Sequence, residues 1–270
     1  MTDMTDAMMS EQRERLRRFS APHCSDLHCH CLPGLDDGPE SLDDALALCE
    51  ALAADGVTQV VATPHQLGMY DGRNGAAEIR KAVAQLDAHL EAADVPLEIV
   101  PGADVRVDER IVSMIDAGEI MTVADQGTHL LLELPRDIHI DPALLVTRLR
   151  DHGITTIVSH PERYPFLARR PQIIETWIAE GALIQLTAGS LIGEFGRTAH
   201  DLAWHWLRSP AVRHILIATD AHDTDHRPPR MTAAIEAISQ RLGHATARRA
   251  CIDNPNRILS QSRDLVEKKP

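Results

Sequence analysis

The chain has 270 residues, 15 histidines and a formal net charge of −13 at pH 7. This length suffices for one full hydrophobic core, and no Ser/Gly-rich linker divides the chain, so we expect a single domain. The acidic balance argues against a nucleic-acid partner, because nonspecific affinity for a phosphate backbone comes from lysine and arginine. No apolar run approaches the roughly 18 residues that predict a membrane span.

The two ends of the chain differ from its body. Residues 1–22 are polar and charged and lack the apolar segment of a secretory signal, so we expect a mobile N-terminal extension on a cytoplasmic protein. The folded domain is expected over residues 23–262, followed by a C-terminal tail at 263–270. The five cysteines form an odd set without regular spacing, which predicts reduced thiols.

Short strand-like segments alternate with segments of helical period along the chain. After a first strand that leads into His28, the strand segments are 58–62, 97–101, 130–132, 154–159, 182–186 and 214–219. The helical segments lie near 42–54, 76–92, 142–151, 171–180, 198–207 and 231–242. This alternation predicts an α/β fold of parallel βα units, and seven strand segments suggest a (β/α)7 barrel.

Potential metal ligands stand at six of the seven strand ends. His28 and His30 are two residues apart, so a strand turns both imidazoles to one face. The later strand segments lead to His65, Asp104, Glu133, His160, and Asp220 with His222, whereas 182–186 ends without a ligand. The carboxyl ends of barrel strands form one mouth, so these side chains are expected to meet there. A doubly wound open sheet would draw its site from fewer strand ends.

Two cysteine patterns suggest other chemistry. Cys29 and Cys31 interleave with the histidine pair, but strand alternation turns them to the opposite face, which argues against a mixed Cys/His zinc site. Cys251 has an arginine six residues later, the spacing of thiolate phosphatases. Asp253 and Pro255 lie between them, and they suit poorly a loop that must wrap a phosphate with backbone N–H groups.

The motifs resemble the PHP (polymerase and histidinol phosphatase) superfamily of metal-dependent phosphoesterases. Within it, the chain is most similar to the bacterial tyrosine-protein phosphatases of capsule and exopolysaccharide production. The likeness runs from about residue 24 to residue 259, and its motifs are residues 26–39, 62–65, 159–164 and 219–229. The resemblance implies a distorted (β/α)7 barrel of the PHP type.

The resemblance also implies up to three divalent ions, with manganese expected and zinc or iron as alternatives. The implied ligands are His28, His30 and Asp220 for the first ion; Asp104, shared with the first, together with Glu133 and His160 for the second; and Asp37, His65 and His222 for the third. Mixed histidine and carboxylate sites suit these ions better than Mg²⁺ or Ca²⁺.

Three positions leave the ligand set open to question. Asp36 stands beside Asp37, and either carboxylate could instead cap the helix that follows. Asp104 stands where relatives usually have glutamate, and its side chain is one methylene shorter. Gln66 stands where a second histidine or a basic residue is expected.

The implied reaction is hydrolysis of phosphotyrosine by a hydroxide held at the metal ions, on the tyrosine-rich tail of a membrane-associated kinase. Paired ions activate a water and clamp the oxygens of an in-line displacement. Arg163 and Arg227 are expected to grip the phosphate, because guanidinium can bind two phosphate oxygens at once. His222 or Asp37 is expected to supply a proton to the leaving group.

Two alternatives to a protein phosphatase stay open. The chain could be a small-molecule phosphatase of the histidinol-phosphatase type, or a catalytically weak metal module that binds phosphotyrosine, an option that the Asp104 departure keeps open. The loop 66–75 is either a mobile rim that selects substrate or a plain connector. Histidines that we interpret as surface or packing residues are His89, His139, His152, His200, His205 and His244.

Overall fold

A computed structural model describes residues 24–260 of the chain. The predicted extension 1–22 and tail 263–270 lie outside the described residues, so both stay predictions. Among residues 24–260, no helix combines the length and the apolar character needed to cross a membrane.

The described residues contain nine β-strands, and every pairing between them is parallel. In chain order they are β1 Ser25–Cys29, β2 Gln59–Ala62, β3 His65–Gln66, β4 Glu98–Pro101, β5 Asp104–Arg106, β6 His129–Glu133, β7 Thr155–Ser159, β8 Leu183–Thr187 and β9 Ile215–Ala218. One sheet has the order β1-β2-β4, and the other has the order β3-β5-β6-β7-β8-β9. All seven predicted strand segments are present.

Two of the predicted segments, 58–62 and 97–101, are each followed after two residues by a further short strand in the other sheet. Thr63 and Pro64 separate β2 from β3, and Gly102 and Ala103 separate β4 from β5. A Cβ atom at Gly102 would lie 2.4 Å from Cγ1 of Val61, so this crossing between neighbouring segments requires glycine. The chain therefore passes directly from one sheet to the other twice, from β2 to β3 and from β4 to β5.

The first and last strands also meet beyond their carboxyl ends. The Asp220 N–H donates to the His28 carbonyl at 2.8 Å, and the His30 N–H donates to the Ala221 carbonyl at 2.9 Å. The Asp26 carboxylate strengthens this junction by accepting hydrogen bonds from the backbone N–H and the hydroxyl of Thr219. The segments that carry His28, His30 and Asp220 are therefore held side by side.

Helices connect the strands, and the six predicted helical segments are confirmed. They are α1 Leu42–Ala54, α2 Ala76–Ala92, α4 Ala143–Asp151, α5 Ile173–Ala179, α7 Gly196–Leu207 and α8 Met231–Leu242. Four helices of four to seven residues were not predicted, since they are too short to show a helical period: α3 Ile111–Asp116, α6 Ala188–Leu191, α9 His244–Arg248 and α10 Asn254–Ser260.

The apolar side chains form two separate buried clusters. The larger one packs the helices against the strands and includes the three buried tryptophans, Trp177, Trp204 and Trp206. The smaller one takes Leu27, Val61, Leu131, Ile157 and Leu216 from five different strands, together with Ile258 and Leu259 from α10. In β1, Leu27 of this smaller cluster lies directly before the first histidine of the predicted metal site.

Candidate metal centre and phosphate pocket

The structure brings all nine predicted metal ligands together. They lie at or just beyond the carboxyl ends of the strands: His28 and His30 at β1, Asp37 in the following loop, His65 in β3, Asp104 in β5, Glu133 in β6, His160 after β7, and Asp220 and His222 after β9. Parallel strands place their carboxyl ends on one edge, which is why residues so far apart in sequence converge.

The nine side chains form four overlapping groups. Within each group, the ligand atoms lie within 4.8 Å of one another. The group of His28, His30 and Asp220 coincides with the first predicted ion site. The third predicted site gains His30, since Asp37, His65 and His222 share a group with it.

The second predicted site is divided. Asp104 is grouped with His28 and His160 on one side and with His65 and Glu133 on the other. Its carboxylate therefore lies at the centre of the cluster, where a bridging ligand is expected.

Asp104 provides a test of whether the residues fit a metal ion. Its side chain is fully buried, and neither carboxylate oxygen accepts a hydrogen bond from the described residues. Oδ2 is 3.6 Å from Nε2 of His28 and 3.6 Å from Nδ1 of His65, too far for hydrogen bonds. A buried carboxylate without partners is costly unless a cation neutralises it, so this arrangement fits a bound divalent ion.

Hydrogen bonds orient three of the histidines in the same way. Nδ1 of His28 donates to Oε1 of Gln185 at 2.9 Å, and Nδ1 of His30 donates to Oδ2 of Asp36 at 2.5 Å. Nδ1 of His222 donates to the backbone carbonyl of Asp220 at 3.0 Å. In each ring the proton on Nδ1 leaves the Nε2 lone pair free and pointed at the cluster, as a metal ligand requires.

The adjacent carboxylates Asp36 and Asp37 have different roles in the site. The Asp36 side chain is fully buried and, besides holding His30, accepts a hydrogen bond from the His65 N–H at 3.0 Å. The Asp37 side chain is half exposed, with Oδ1 3.5 Å from Nε2 of His65 and 3.3 Å from Nε2 of His222. Asp37 thus faces the cluster while Asp36 positions its ligands, and neither caps α1, whose N-cap is Ser41.

Two of the predicted ligands have an unusual backbone. His160 has φ 34° and Asp220 has φ 52°, which places both in the left-handed region that favours glycine. Such conformations cluster at functional sites because the surrounding structure has to hold them in place. Here Gln185 accepts a hydrogen bond from the His160 N–H at 3.1 Å, and β1 binds Asp220 through its backbone.

Burial keeps the histidines neutral. It lowers the pKa of His28 to about 4 and the pKa values of His30 and His160 well below their usual range. Neutral imidazole is the form that binds metal ions. For Asp220, burial alone would raise the pKa, but the neighbouring His28, Arg163 and Arg227 outweigh it and hold the pKa well below its usual range.

Both predicted phosphate-gripping arginines reach the cluster. Nη1 of Arg163 and Nη2 of Arg227 pair with the same oxygen of Asp220, Oδ2, the latter at 2.5 Å. The guanidinium of Arg163 also lies 4.2 Å from the ring centre of Phe195, a cation–π contact that fixes its plane. A third arginine, Arg106, binds Oε2 of Glu133 at 2.9 Å.

These groups line an open cavity of about 310 Å³. Its wall combines five of the cluster residues with Arg106, Arg136, Arg163 and Arg227. Tyr70 adds the phenol ring, stacked on His65 with 5.5 Å between ring centres. The cavity therefore joins a set of metal-binding groups, four cations and an aromatic surface, which suits an aryl phosphate.

The loop 66–75 is tied to its surroundings. Gln66 donates through Nε2 to the carbonyls of Asn74 and Glu119, and its Oε1 accepts from the Met121 N–H. Asn74 in turn donates to the carbonyls of Leu35 and His65. The glutamine that departs from the family pattern thus has a structural role at the base of the loop, while Met69 and Tyr70 extend over the cavity.

Sequence reasoning missed two supporting residues. Gln185 lies in β8, the strand predicted to end without a ligand, and it positions both His28 and His160. Asp36 is expected from sequence only as a helix cap or an alternative ligand. An amide within a buried strand carries no ligand signal, so only the fold identifies Gln185. Among residues 24–260, Cys29 and Cys31 belong to none of the four ligand groups.

Comparison with known proteins gives a consistent result. The family described as "Capsular polysaccharide synthesis, CpsB/CapC" matches residues 24–260. The chain is 28% identical to the tyrosine-protein phosphatase YwqE of Bacillus subtilis (strain 168) over 81% of this chain and 85% of that protein. It is 31% identical to the putative tyrosine-protein phosphatase CapC of Staphylococcus aureus over 75% and 78% of the two chains.

Solved structures of similar fold include a metal-dependent tyrosine phosphatase. One from work on YwqE of Bacillus subtilis and CpsB of Streptococcus pneumoniae, described as unique metal-dependent tyrosine phosphatases, has a TM-score of 0.81 at 26% identity, covering 86% of this chain and 92% of that chain. The phosphotriesterase from Mycobacterium tuberculosis has a TM-score of 0.57 at 13% identity, covering 87% and 93% of the two chains, a likeness of fold alone. The resemblance expected from the motifs is confirmed.

Proposed function

The chain belongs to the CpsB/CapC family of capsular polysaccharide synthesis, and we propose that its cavity hydrolyses phosphotyrosine in proteins with the help of bound divalent metal ions. Of the relatives named above, YwqE is described as a tyrosine-protein phosphatase and CapC as a putative one. The observation that carries the proposal is the position of Asp220, which adjoins His28 and His30 through one carboxylate oxygen and pairs with Arg163 and Arg227 through the other. Metal ligands and phosphate-binding groups thus meet at one side chain.

We assign three ions to the nine predicted ligands. His28, His30 and Asp220 would hold the first ion. Asp104 would bridge it to a second, with Glu133 and His160, and Asp37, His65 and His222 would hold a third. Bound ions of this kind activate water and neutralise charge on the oxygens of a phosphoryl group. Manganese is our proposed ion, and zinc and iron are compatible with the same donors.

The arginines carry out the binding step. Arg163 and Arg227 would exchange part of their contact with Asp220 for the non-bridging oxygens of the phosphate, and their charges would offset the charge that develops during transfer. Phe195 keeps the Arg163 guanidinium in its plane while this exchange occurs. Tyr70 provides a ring surface against which the tyrosyl leaving group packs.

Release of tyrosine requires a proton on the phenol oxygen. Asp37 or His222 is the proposed donor; Oδ1 of Asp37 lies 3.3 Å from Nε2 of His222, and the Asp37 side chain is at the exposed side of the cluster. A phenolate is a good leaving group, with a pKa of about 10 in the free side chain, so the demand on this donor is modest.

We further propose that the strands close into a distorted seven-stranded barrel. The pairs β2/β3 and β4/β5 would each count as one strand. The hydrogen bonds between the ends of β1 and β9 support closure, as does the buried cluster that draws on five strands. Closure would explain how both ends of the strand series contribute to one site.

The proposed substrate is a tyrosine-rich tail of a membrane-associated kinase in capsule or exopolysaccharide production. A cytoplasmic location belongs to the same proposal. The open cavity and the four arginines in its lining support a phosphorylated peptide as substrate.

The experiment compares phosphate release from a tyrosine-phosphorylated peptide and from histidinol phosphate, using protein stripped of metal and reloaded with Mn²⁺. We expect rapid, metal-dependent release from the peptide and none from the His160→Ala variant. Preference for histidinol phosphate would instead assign the chain to small-molecule phosphatases. Peptide binding without turnover, with at most one ion per chain, would favour the binding-module alternative and implicate Asp104.

A further inference from the structure

A second cavity lies beside the first, between the loops that follow β6 and β7. Its volume is about 480 Å³, and its lining includes Arg136, His139, Phe166, Arg169 and Arg170. Both loops leave the carboxyl ends of adjacent parallel strands, so this cavity opens on the same edge of the fold as the metal cluster. Arg136 lines both cavities and connects them.

The charge of this second cavity is unbalanced. Its lining contains three arginines, Arg136, Arg169 and Arg170, and one carboxylate, Asp137. Arg106, Arg163 and Arg227 of the first cavity are all ion-paired. No carboxylate within residues 24–260 forms an ion pair with Arg136, Arg169 or Arg170. In a chain with a net charge of −13, a group of unpaired arginines next to a phosphate pocket indicates an anionic ligand.

The walls of the second cavity are aromatic and aliphatic. The His139 ring lies 4.4 Å from the Phe166 ring, and Phe166 is stacked on the buried Tyr164 at 5.8 Å. Ile138, at 59% exposure, is one of the few large apolar side chains that the described surface leaves open. A cavity lined by both unpaired arginines and aromatic side chains matches a ligand that has both a negative charge and a ring.

We propose that this second cavity holds another phosphotyrosine of the same substrate chain while the first phosphotyrosine occupies the metal site. Arg136, Arg169 and Arg170 would bind its phosphate, and Phe166 would contact its ring. This inference rests on the proposed function, because it requires a phosphotyrosine peptide as substrate. Two linked contacts raise the effective concentration of the second group, so multiply phosphorylated chains would be preferred.

The kinetic test uses peptides with two phosphotyrosines separated by one, two or three residues, and the same peptides with a single phosphotyrosine. We expect kcat/KM to be about tenfold higher for the best-spaced doubly phosphorylated peptide, which corresponds to one well-formed ionic contact. The Arg169→Ala/Arg170→Ala variant should lose this preference while hydrolysing p-nitrophenyl phosphate at the wild-type rate.

The matched control is Arg213→Ala/Arg249→Ala, which removes the same charge. Arg213 precedes β9 and Arg249 lies in the π-helical segment Arg249–Asp253, and both are exposed. This variant should keep the tenfold preference. An equal loss in the control would show that net charge, and not the cavity, produces the effect, and would overturn the proposal.

Two further results would also overturn it. One is a wild-type enzyme that does not distinguish the two peptide sets at any spacing. The other is an equal preference when the second phosphotyrosine is replaced by glutamate, since the cavity would then recognise charge alone.

Binding to metal-stripped protein separates this inference from the proposed function. Fluorescence anisotropy of the labelled peptides requires no turnover, and tighter binding of the doubly phosphorylated peptide should depend on Arg169 and Arg170. If no phosphotyrosine is hydrolysed by metal-loaded protein but this binding difference persists, the proposed function is wrong and the second cavity still binds phosphotyrosine. If the enzyme is active but the binding difference is absent, the proposed function stands and the second cavity does not bind phosphotyrosine.

Discussion

The floor of the first cavity and the wall of the second are built in opposite ways. On the floor, buried histidines are oriented by hydrogen bonds that they donate to Gln185 and Asp36. On the neighbouring wall, Arg169 and Arg170 are exposed and have no acidic partner among the described residues. The floor is organised in advance for small ions of fixed geometry, whereas the wall leaves its charges free for a ligand that arrives with its own shape.

Metal removal should have the largest effect, and it should act on the first cavity alone. A chelator should abolish phosphotyrosine hydrolysis, because the proposed ions supply the activated water and much of the positive charge. Reloading with Mn²⁺ should restore it, as measured by phosphate release together with elemental analysis of the protein. Full activity in protein shown to be free of metal would contradict the assignment of the nine ligands.

Substituting the phosphate-binding arginines should have the next largest effect. Arg163→Lys or Arg227→Lys keeps the charge but loses the fork that binds two oxygens, so we expect kcat/KM to fall by about 10²-fold. The metal content should not change. Arg110→Lys, at a surface arginine paired with Asp71 and Asp108, serves as the matched control and should retain activity.

Gln185→Leu tests whether hydrogen bonds to Gln185 position the metal-binding histidines. The substitution removes the acceptor for Nδ1 of His28 and for the His160 N–H, and loss of such support weakens metal binding by about 10 to 100-fold. Titration of stripped protein with Mn²⁺ measures this effect. The control is Gln59→Leu, where the amide oxygen accepts from the Ser25 hydroxyl at the amino end of β1. Equal metal affinity in the two variants would exclude a positioning role for Gln185.

Asp26→Ala should affect folding stability more than chemistry. The Asp26 carboxylate accepts hydrogen bonds from Thr219 and from the His28 N–H, and its loss leaves buried donors unpaired. We expect the free energy of unfolding in urea to fall by about 2 to 3 kcal/mol. Asp253→Ala removes a surface ion pair with Arg248 and should cost about 0.5 kcal/mol or less. If the two costs were alike, the junction between β1 and β9 would not be a stabilising element.

Much of the fold could be predicted from local sequence. The helical period predicts both ends of α1, α2 and α8 correctly, because each helix has a regular apolar face and a clear boundary. The further short strands β3 and β5 were not predicted, since a crossing at Gly102 depends on how close Val61 approaches. Helices of one or two turns, such as α6, leave too little pattern to detect.

The site was predicted unevenly. The ligands stood out because ionisable residues at the ends of apolar strands have few other roles there. The residues that support them did not, because a buried glutamine such as Gln185 looks like any polar strand residue. The second cavity was also missed: its arginines are ordinary surface residues in sequence, and His139 is among the histidines that we interpret as surface or packing residues. Only the proximity of the β6 and β7 loops brings these residues together.

The left-handed backbone at His160 and Asp220 has a consequence for reading related sequences. Each residue occupies a conformation that glycine would adopt with less strain, so selection for stability alone would not retain histidine or aspartate there. In a descendant that kept this fold but no longer needed its ions, glycine would relieve the backbone strain at either position, although at position 220 it would also remove the ion pairs with Arg163 and Arg227. The identity of these two residues is therefore a simple marker of whether a chain of this fold is still under selection for catalysis.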